Sequence, residues 1–407
     1  MGYKRETIKG VSWVGSFRIL SRLIALLKTV ILARVFSPTQ FGVFGIASLV
    51  LAFLEIITET GINIFIVQTK QKIANFIDTA WVLSIIRGFV VGIIIYLLAP
   101  VIAGFFNSRE SESIIVLISI VPVIRGFVNP SKNLLQKNLN FSKEFYLQGT
   151  LLLIDAFFAI TFSIITQNIT ALVIGLIASA IFEVILTFSF IKPIPRLGIS
   201  LKSVKQIFHK GKWVTWAGVS QYIAENADNI SVGKFLGAGD LGIYQVAYRL
   251  STLTITEITD VINRVFFPIY AKISNDKEKL KSVFIKSSLT LSLLVIPAGL
   301  IFFFFSREII IILLGEKWLE AAGVLKVLAF YGILRSLIGY PSSLFLGLGL
   351  QKNVAYMTSV RGVVLLITVF PLLFAYGIIG VAYSAILSVV AEFPIVLYML
   401  FKIFKRR

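Results

Sequence analysis

The sequence predicts an all-α membrane protein whose twelve transmembrane helices form two six-helix lobes related by a parallel internal repeat. Three observations predict this fold class. Hydrophobic residues make up 57% of the 407 residues and charged residues only 14%, a composition far more apolar than that of soluble proteins. Twelve apolar segments have the length of a membrane span. The two halves of the chain also share matching residues at a constant spacing of 200.

Each of the twelve apolar segments is near the ~20 residues that an α-helix needs to cross the hydrocarbon core. They cover about 11–33, 42–66, 79–104, 114–136, 146–166, 171–191, 212–236, 242–267, 283–305, 320–347, 354–375 and 379–401. Between the first two segments, Ser37-Pro38-Thr39-Gln40 has the pattern of a helix N-cap, with proline in the first helical turn and glutamine three residues after the cap. We expect this turn to be structural.

The distribution of Lys and Arg predicts the orientation in the membrane. With the N-terminus inside, twenty-three of the 39 basic residues fall in inside connections or termini, and only five fall in outside connections. Cytoplasmic connections are enriched in Lys and Arg. We therefore expect a multi-pass protein of the cytoplasmic (inner) membrane with both termini in the cytoplasm, and the net charge of +19 needs no nucleic-acid partner.

The internal repeat is read from matched residues in the two halves. The first span and the turn after it match the seventh span and its turn, and later matches need small shifts. The pairs are Trp13-Val14 with Trp213-Val214, Phe41-Gly42 with Leu241-Gly242, Ile62-Asn63 with Ile262-Asn263, Arg125 with Arg335, and Pro130-Ser131 with Pro341-Ser342. Each half has six spans, an even number, so both enter the membrane with the same orientation. This arrangement is typical of transporters that work by alternating access.

A basic amphipathic segment separates the two halves. Ile199, Leu201, Val204, Ile207 and Phe208 alternate with lysines at helical spacing, which predicts a helix in the cytoplasmic interface. The sequence thus predicts an N-terminal six-helix lobe over 1–191, a cytoplasmic amphipathic linker over 192–211 and a C-terminal six-helix lobe over 212–407.

The residue inventory excludes several chemistries. The chain has no cysteine and a single histidine, His209, so zinc sites of the Cys/His type, disulfides and Cys-His or Ser-His-Asp catalysis are excluded or nearly so. We expect no enzymatic activity, no metal site and no cofactor other than a coupling H⁺ or Na⁺.

Basic residues within the first span point to an anionic ligand. Arg18 and Arg22 lie about 40° apart on a helix, with Lys28 at the flank and no acidic residue in the span. A charge at the bilayer centre costs roughly 2.5–3.5 kcal/mol and normally faces a protein interior or a cavity. Since the guanidinium fork suits phosphate, we predict an anion-binding surface made of Arg18, Arg22, Lys28, Arg87 and Arg125.

The seventh and eighth spans each carry a pair of acidic residues. Glu225 and Asp228 share one helical face, and Glu257 and Asp260 share another. A carboxylate face of this kind suits coupling to H⁺ or Na⁺, and these four residues are the predicted ion-coupling site. The alternative is that the intramembrane cations and acids form internal ion pairs that hold helices together.

Three stretches carry a resemblance to a known family. They are GVSWVGSFRILSRLIALLKTVILARVFSPTQFGVFGIASLV, FLEIITETGINIFIVQ and, after the fourth span, LLQKNLNFSKEF. They resemble the polysaccharide exporters of the multidrug/oligosaccharidyl-lipid/polysaccharide (MOP) superfamily, and among them the O-antigen, teichuronic or colanic acid flippases. The resemblance implies a MATE/MOP-like fold and a basic central cavity, which maps onto the five cations named above.

The resemblance also implies a function. It is that of a flippase moving an undecaprenyl-pyrophosphate-linked oligosaccharide, such as an O-antigen or capsule unit, across the cytoplasmic membrane. Its partners would be this lipid-linked pyrophosphate, membrane lipids and polysaccharide assembly proteins, with the protein itself a monomer. Two alternatives stay open: a MATE-like exporter of cationic drugs, which would prefer an acidic cavity, and a membrane glycosyltransferase or polymerase, which usually needs a larger external loop.

Overall fold

The computed structural model describes residues 20–58, 62, 66, 76–138 and 140–405. It divides into two compact units, Met1–Asn226 and Ala227–Arg407, which we call the first unit and the second unit. The division falls after the start of the predicted seventh span rather than in the predicted linker. The residues that the structure describes are helical or lie in short turns, as the fold class predicts.

The first unit contains the following helices. They are α1 (20–35), α2 (Pro38–Ile57), α3 (Ile77–Phe105), α4 (Glu110–Ile118), α5 (Ile120–Gly126), α6 (Leu134–Lys137), α7 (Phe141–Thr166), α8 (Thr170–Phe190) and most of α9 (Leu201–Phe235), with a 3₁₀ turn at Pro130–Asn133. Ser37 is the N-cap of α2. Its Oγ accepts from Gln40 N at 3.3 Å, and Gln40 Oε1 accepts from Ser37 N at 2.9 Å. The predicted structural role of this turn is confirmed.

The second unit contains the remaining helices. They are α10 (Ala238–Tyr248), α11 (Thr254–Lys272), α12 (Lys277–Phe304), α13 (Ser306–Leu313), α14 (Ala321–Gly339), α15 (Pro341–Gly347), α16 (Gln351–Val390) and α17 (Phe393–Lys405), with a π-helical turn at Arg249–Leu253 between α10 and α11. Its largest core cluster includes Ile255, Leu291, Val295, Ala329 and Leu344, contributed by α11, α12, α14 and α15. This core is built from the apolar faces of helices, as in a helix bundle.

Many large apolar side chains lie on the outside of both units. Leu97 and Val101 on α3 and Leu293 and Phe304 on α12 are among the exposed ones. An outer surface of this composition would be unfavourable in water and is stable in the hydrocarbon of a bilayer. The chain is a membrane protein.

Seven of the described helices are long and apolar enough to cross a membrane. There are eight if Glu110–Gly126 and Pro130–Lys137, which meet at a bend of 72°, count as one span. The last of the seven, Gln351–Lys405, has 55 residues, which is the length of two predicted spans. Gly377 lies between those two, and its φ of 61° requires glycine. The count of twelve spans and the two-lobe repeat stay predictions.

The predicted linker and the start of the predicted seventh span form one continuous helix. α9 begins at Leu201 and ends at Phe235, so the predicted helicity of the linker from Leu201 onward is confirmed. The side chains of 205–217 lie outside the described ones. The placement of this helix in the membrane interface, and the domain boundaries at 191 and 212, stay predictions.

Candidate substrate cavity

Two glycines set the crossing of α3 and α5 in the first unit. A Cβ atom on Gly88 would lie 2.4 Å from Pro122 O, and one on Gly126 would lie 2.9 Å from Ser84 O. Both distances are far below normal van der Waals contact, so only glycine lets the two backbones approach this closely. The residues before them, Arg87 and Arg125, are therefore brought to the same cavity.

An interruption of the helical structure after α5 completes the wall of this cavity. Asn129 Oδ1 accepts from Ser131 N at 2.9 Å, and its Nδ2 donates to Ile191 O at 3.3 Å and Pro193 O at 3.2 Å. The asparagine is fully buried, and these hydrogen bonds hold the break against the end of α8. Lys132 follows directly in the 3₁₀ turn and faces the cavity.

The first cavity, as we call it, has a volume of about 440 Å³. Its lining comes from α2, α3, α5, the 3₁₀ turn, α7 and α8, all within the first unit. The charged residues of the lining are Glu55, Arg87, Arg125, Lys132 and Glu183. Among the described residues of the wall, three cations therefore face two carboxylates, a formal excess of one positive charge.

The carboxylates at this wall contact two of its cations. Glu55 Oε1 lies 3.2 Å from Arg125 Nη1, with the side chains 31% and 38% exposed. Glu183 Oε1 lies 2.6 Å from Lys132 Nζ. Arg87 donates instead to neutral oxygens, from Nη2 to Glu55 O at 2.6 Å and from Nε to Thr58 Oγ1 at 3.3 Å.

Arg125 keeps one donor unused. Its Nε is buried and has no hydrogen-bond partner among the described residues. A buried N–H of a charged group without a partner is costly, so an acceptor from a ligand or water would stabilise it. Together with the excess positive charge, this donor makes the first cavity suited to an anion.

The other predicted substrate-binding cations are placed differently. Lys28 Nζ lies 2.6 Å from Asp155 Oδ2, with both side chains 15% exposed, and neither residue is part of the lining of the first cavity. Lys28 thus has the internal ion pair that was the alternative for these residues. Arg22 lies exposed on α1, and Arg18 lies outside the described residues. Of the five predicted substrate-binding cations, the structure places Arg87 and Arg125 at the same cavity.

The four predicted ion-coupling residues differ in exposure and in hydrogen-bond partners. Asp228 is buried and accepts from Tyr244 Oη at 2.8 Å, from Asn229 N at 2.7 Å and from Asn229 Nδ2 at 3.0 Å. Glu225 is exposed and accepts from Gln221 Nε2 at 3.0 Å. Asp260 lines a cavity of the second unit, whereas Glu257 is not among the residues of that lining.

This second cavity has a volume of about 220 Å³ and lies between α11, α14, α15, α16 and the start of α17. It contains Arg335, the repeat counterpart of Arg125, and two further charged residues, Arg361 and Glu392, in addition to Asp260. The sequence had marked Arg335 and Arg361 only as intramembrane charges. The match of Arg335 with Arg125 was the signal that could have identified a cavity in both halves.

The fold and these cavities define a class: a polytopic helical membrane protein with charged cavities inside its helix bundles. The particular family follows from comparison with known proteins. Residues 31–323 match the polysaccharide biosynthesis protein family, and the chain belongs to that family. The predicted resemblance to polysaccharide exporters is confirmed.

Individual relatives agree with this family. The lipopolysaccharide biosynthesis protein WzxC of Escherichia coli K12 is 27% identical over 347 residues, which cover 84% of this chain and 70% of WzxC. The fold is similar to the lipid II flippase MurJ in an inward closed conformation, with a TM-score of 0.76, 17% identity and coverage of 96% of this chain and 89% of MurJ. An inward-facing multidrug resistance MATE transporter of the MOP superfamily has a TM-score of 0.69 at 16% identity, with 94% of each chain covered.

Proposed function

We propose that this protein is a flippase that moves an undecaprenyl-pyrophosphate-linked oligosaccharide across the cytoplasmic membrane. Membership of the polysaccharide biosynthesis family supports this function. So do the name of WzxC as a lipopolysaccharide biosynthesis protein and the name of MurJ as a lipid II flippase. The observation that carries the proposal is the first cavity, with Arg87 and Arg125 side by side and an unused buried donor on Arg125.

The physical problem for such a flippase is the charge of the head group. Moving an unpaired pyrophosphate into hydrocarbon would cost many kcal/mol, because the charge would lose its hydration. Arg side chains can replace that hydration, since each guanidinium forms two parallel charge-assisted hydrogen bonds to phosphate oxygens. In the proposed mechanism Arg87 and Arg125 hold the pyrophosphate while the prenyl chain stays in the lipid.

The carboxylates of the cavity would set how the ligand is released. Glu55 contacts the same guanidinium that would bind the phosphate, so ligand and Glu55 compete for Arg125. A site that does not release its ligand cannot transport it. The ligand must break the ion pair between Glu55 and Arg125 before it can bind the guanidinium. The free energy lost with that pair offsets part of the free energy of binding, so the net affinity stays modest.

Transport would proceed by alternating access and would be coupled to H⁺ or Na⁺. We assign the coupling to the predicted residues Glu225, Asp228, Glu257 and Asp260. Asp228 is the best supported of them: its carboxylate is buried, and the donors that the structure gives it are neutral. Loss of transport without a pH or Na⁺ gradient, restored by imposing one, would establish this coupling.

The experiment that tests the function is reconstitution. Purified protein in liposomes should move a lipid-linked pyrophosphoryl oligosaccharide to the opposite leaflet, detected by its accessibility to an added glycosidase. Arg125→Gln should slow this movement about 10- to 100-fold, the factor expected from losing one charge-assisted hydrogen bond of ~1.5–3 kcal/mol. Arg307→Gln, outside the cavity at the start of α13, is the matched control and should transport normally.

The same transport assay tests the predicted substrate-binding residues of the first span. Alanine variants of Arg18 and Arg22, single and double, are expected to abolish transport with normal expression. Wild-type transport by all of them would remove these two residues from the substrate site.

A MATE-like exporter of cationic drugs is the rival function, and the fold alone permits it. The first cavity argues against it, because its wall has an excess of positive charge that would repel a cation. Transport of a cationic dye by the wild-type protein, unaffected by lipid-linked saccharide, would favour the rival. We further expect a monomer in the inner membrane with both termini cytoplasmic, acting with polysaccharide assembly proteins.

A further inference from the structure

The second cavity has the chemistry of a second ligand site. One face of α11 contributes Thr256, Thr259, Asp260 and Asn263, whose spacing of three, four and seven residues places them together. α14 contributes Arg335 and Ser336 to the lining, and α16 contributes Arg361. Hydroxyl, amide, carboxylate and guanidinium groups therefore meet in one small space within the second unit.

Three neutral side-chain oxygens at this wall lack a hydrogen-bond partner among the described residues, as does the carboxylate oxygen Glu392 Oε1. Thr259 Oγ1, Asn263 Oδ1 and Ser336 Oγ are buried and have no hydrogen-bond partner among the described residues. The Thr259 side chain is 6% exposed and Ser336 is 1% exposed. Most buried polar atoms in proteins are hydrogen-bonded, and an unsatisfied one costs about 1–3 kcal/mol. Three of them around one cavity point to hydrogen bonds supplied by a ligand.

The charged residues of this lining are two cations, Arg335 and Arg361, and two carboxylates, Asp260 and Glu392. Arg361 Nη1 lies 3.2 Å from Glu392 Oε1, and Glu392 is 1% exposed, so this pair is largely internal. Arg335 donates from Nη1 to Tyr331 Oη at 3.2 Å, and it also interacts electrostatically with the Glu392 carboxylate. The hydrogen bond to Tyr331 uses one of the three guanidinium nitrogens. The guanidinium of Arg335 therefore has donors suited to an added carboxylate, which it can bind through two parallel hydrogen bonds.

The size of the second cavity and its hydrogen-bonding groups limit which ligands it can bind. At about 220 Å³ the second cavity is smaller than the ~300–1,000 Å³ of sites for drug-sized ligands, and it suits a single sugar ring. A fully ionised pyrophosphate diester only accepts hydrogen bonds and would leave Asn263 Oδ1 unsatisfied. Sugar hydroxyls both donate and accept, so they can satisfy the threonine, serine and asparagine oxygens together.

We propose that the second cavity binds one acidic sugar residue of the lipid-linked cargo, with the sugar carboxylate on Arg335 and its hydroxyls on Thr259, Asn263 and Ser336. This inference rests on the proposed function and adds a substrate class to it. Asp260 accepts a hydrogen bond from a further ring hydroxyl. The second cavity would then select for a uronic-acid-type sugar.

Binding to the purified full-length protein in detergent tests the site directly. Saturation-transfer NMR is used with glucuronate, glucose and inorganic phosphate as probes. Glucuronate should bind at least about tenfold more tightly than glucose. Arg335→Gln should lose that preference, and Thr259→Val and Ser336→Ala, which keep the side-chain volume nearly constant, should each weaken glucuronate binding several-fold. The matched control Arg307→Gln should bind as wild type does.

Several results would overturn the proposal. They are equal binding of glucose and glucuronate, unchanged glucuronate binding in Arg335→Gln together with Thr259→Val, or displacement of glucuronate by phosphate at the same concentration. Because Thr259→Val changes no charge, it gives a reading even if Arg335→Gln fails to fold.

Transport separates this proposal from the proposed function. In liposomes, Arg335→Gln should slow a lipid-linked oligosaccharide containing a uronic acid and leave a neutral one unchanged. Failure of wild-type protein to move either substrate would reject the flippase function. Equal movement of both substrates by wild type and Arg335→Gln would reject only the acidic-sugar site. Binding of free glucuronate with no such effect on transport would overturn its assignment to the cargo.

Discussion

Arg125 Nη1 lies 3.2 Å from Glu55 Oε1, while Arg125 Nε is buried with no hydrogen-bond partner among the described residues. One guanidinium thus has a protein anion on one side and an unsatisfied donor on the other. We interpret this relationship as a binding site for an anion that must also be released.

Neutralising Glu55 tests that interpretation. Glu55→Gln removes the competing carboxylate, so the pyrophosphate should bind Arg125 more tightly, and the apparent KM for transport should fall several-fold. Arg125→Gln should raise the apparent KM or abolish transport. The double variant should behave like Arg125→Gln, because the carboxylate matters only through the guanidinium. A lowered transport rate and unchanged KM in Glu55→Gln would instead make Glu55 a structural partner.

Replacing the glycine at the α3–α5 crossing should destabilise the protein. Gly88→Ala places a Cβ 2.4 Å from Pro122 O, so the helices must separate, at a cost of about 1–3 kcal/mol. Gly104→Ala on the same helix is the control, since a Cβ there meets nothing within 4 Å. Thermal unfolding in detergent should show a lower Tm for Gly88→Ala only. Equal Tm values would mean that the crossing is loosely packed.

The pair of Lys28 and Asp155 should be structural. Lys28→Met leaves the Asp155 carboxylate, 15% exposed, without the ammonium 2.6 Å away, and breaking a buried pair costs about 3–5 kcal/mol. Lys28→Met combined with Asp155→Asn removes both charges and should recover most of the Tm and of the transport rate. If the double variant regains stability but transports nothing, Lys28 binds substrate as the sequence predicts.

Asp240, in the first turn of α10, should make the stability of the protein depend on pH. Burial, and then the nearby Glu320 carboxylate, raise the pKa of Asp240 above its ordinary value of 3.8. The folded protein therefore holds this proton more tightly than the unfolded chain, and ionisation of Asp240 lowers stability as the pH rises above 3.8. Asp240→Asn should raise the Tm at pH 7, and the gain should shrink as the pH approaches 4. The control Glu308→Gln, at an exposed position, should change the Tm little at either pH. A gain for Asp240→Asn that is constant with pH would contradict this.

Local features of the fold were predictable from the sequence. The capping box at Ser37 and Gln40 depends on residues three apart, and the structure has both of its hydrogen bonds. Gly377 lies in the short gap between two predicted spans, and its positive φ makes a kink there. Hydropathy likewise indicated a helical membrane protein, because every span must satisfy its own backbone hydrogen bonds.

The composition of the candidate site was predicted only in part. Helical periodicity shows which side chains share a face, but it does not show what lies opposite. Asp155 is 127 residues from Lys28, and no local pattern indicated that they pair. The sequence did not single out Lys132 as a site residue, whereas the buried Asn129 turns the chain so that this lysine faces the first cavity. Contacts between distant helices decide the site, and they depend on packing.

The most direct test of the central claim is a cryo-electron microscopy structure of the protein with a lipid-linked pyrophosphoryl saccharide bound. We predict density for the pyrophosphate in the first cavity, with its oxygens within hydrogen-bond distance of Arg87 and of the Arg125 Nε. Pyrophosphate density elsewhere, with Arg125 still paired to Glu55, would contradict it.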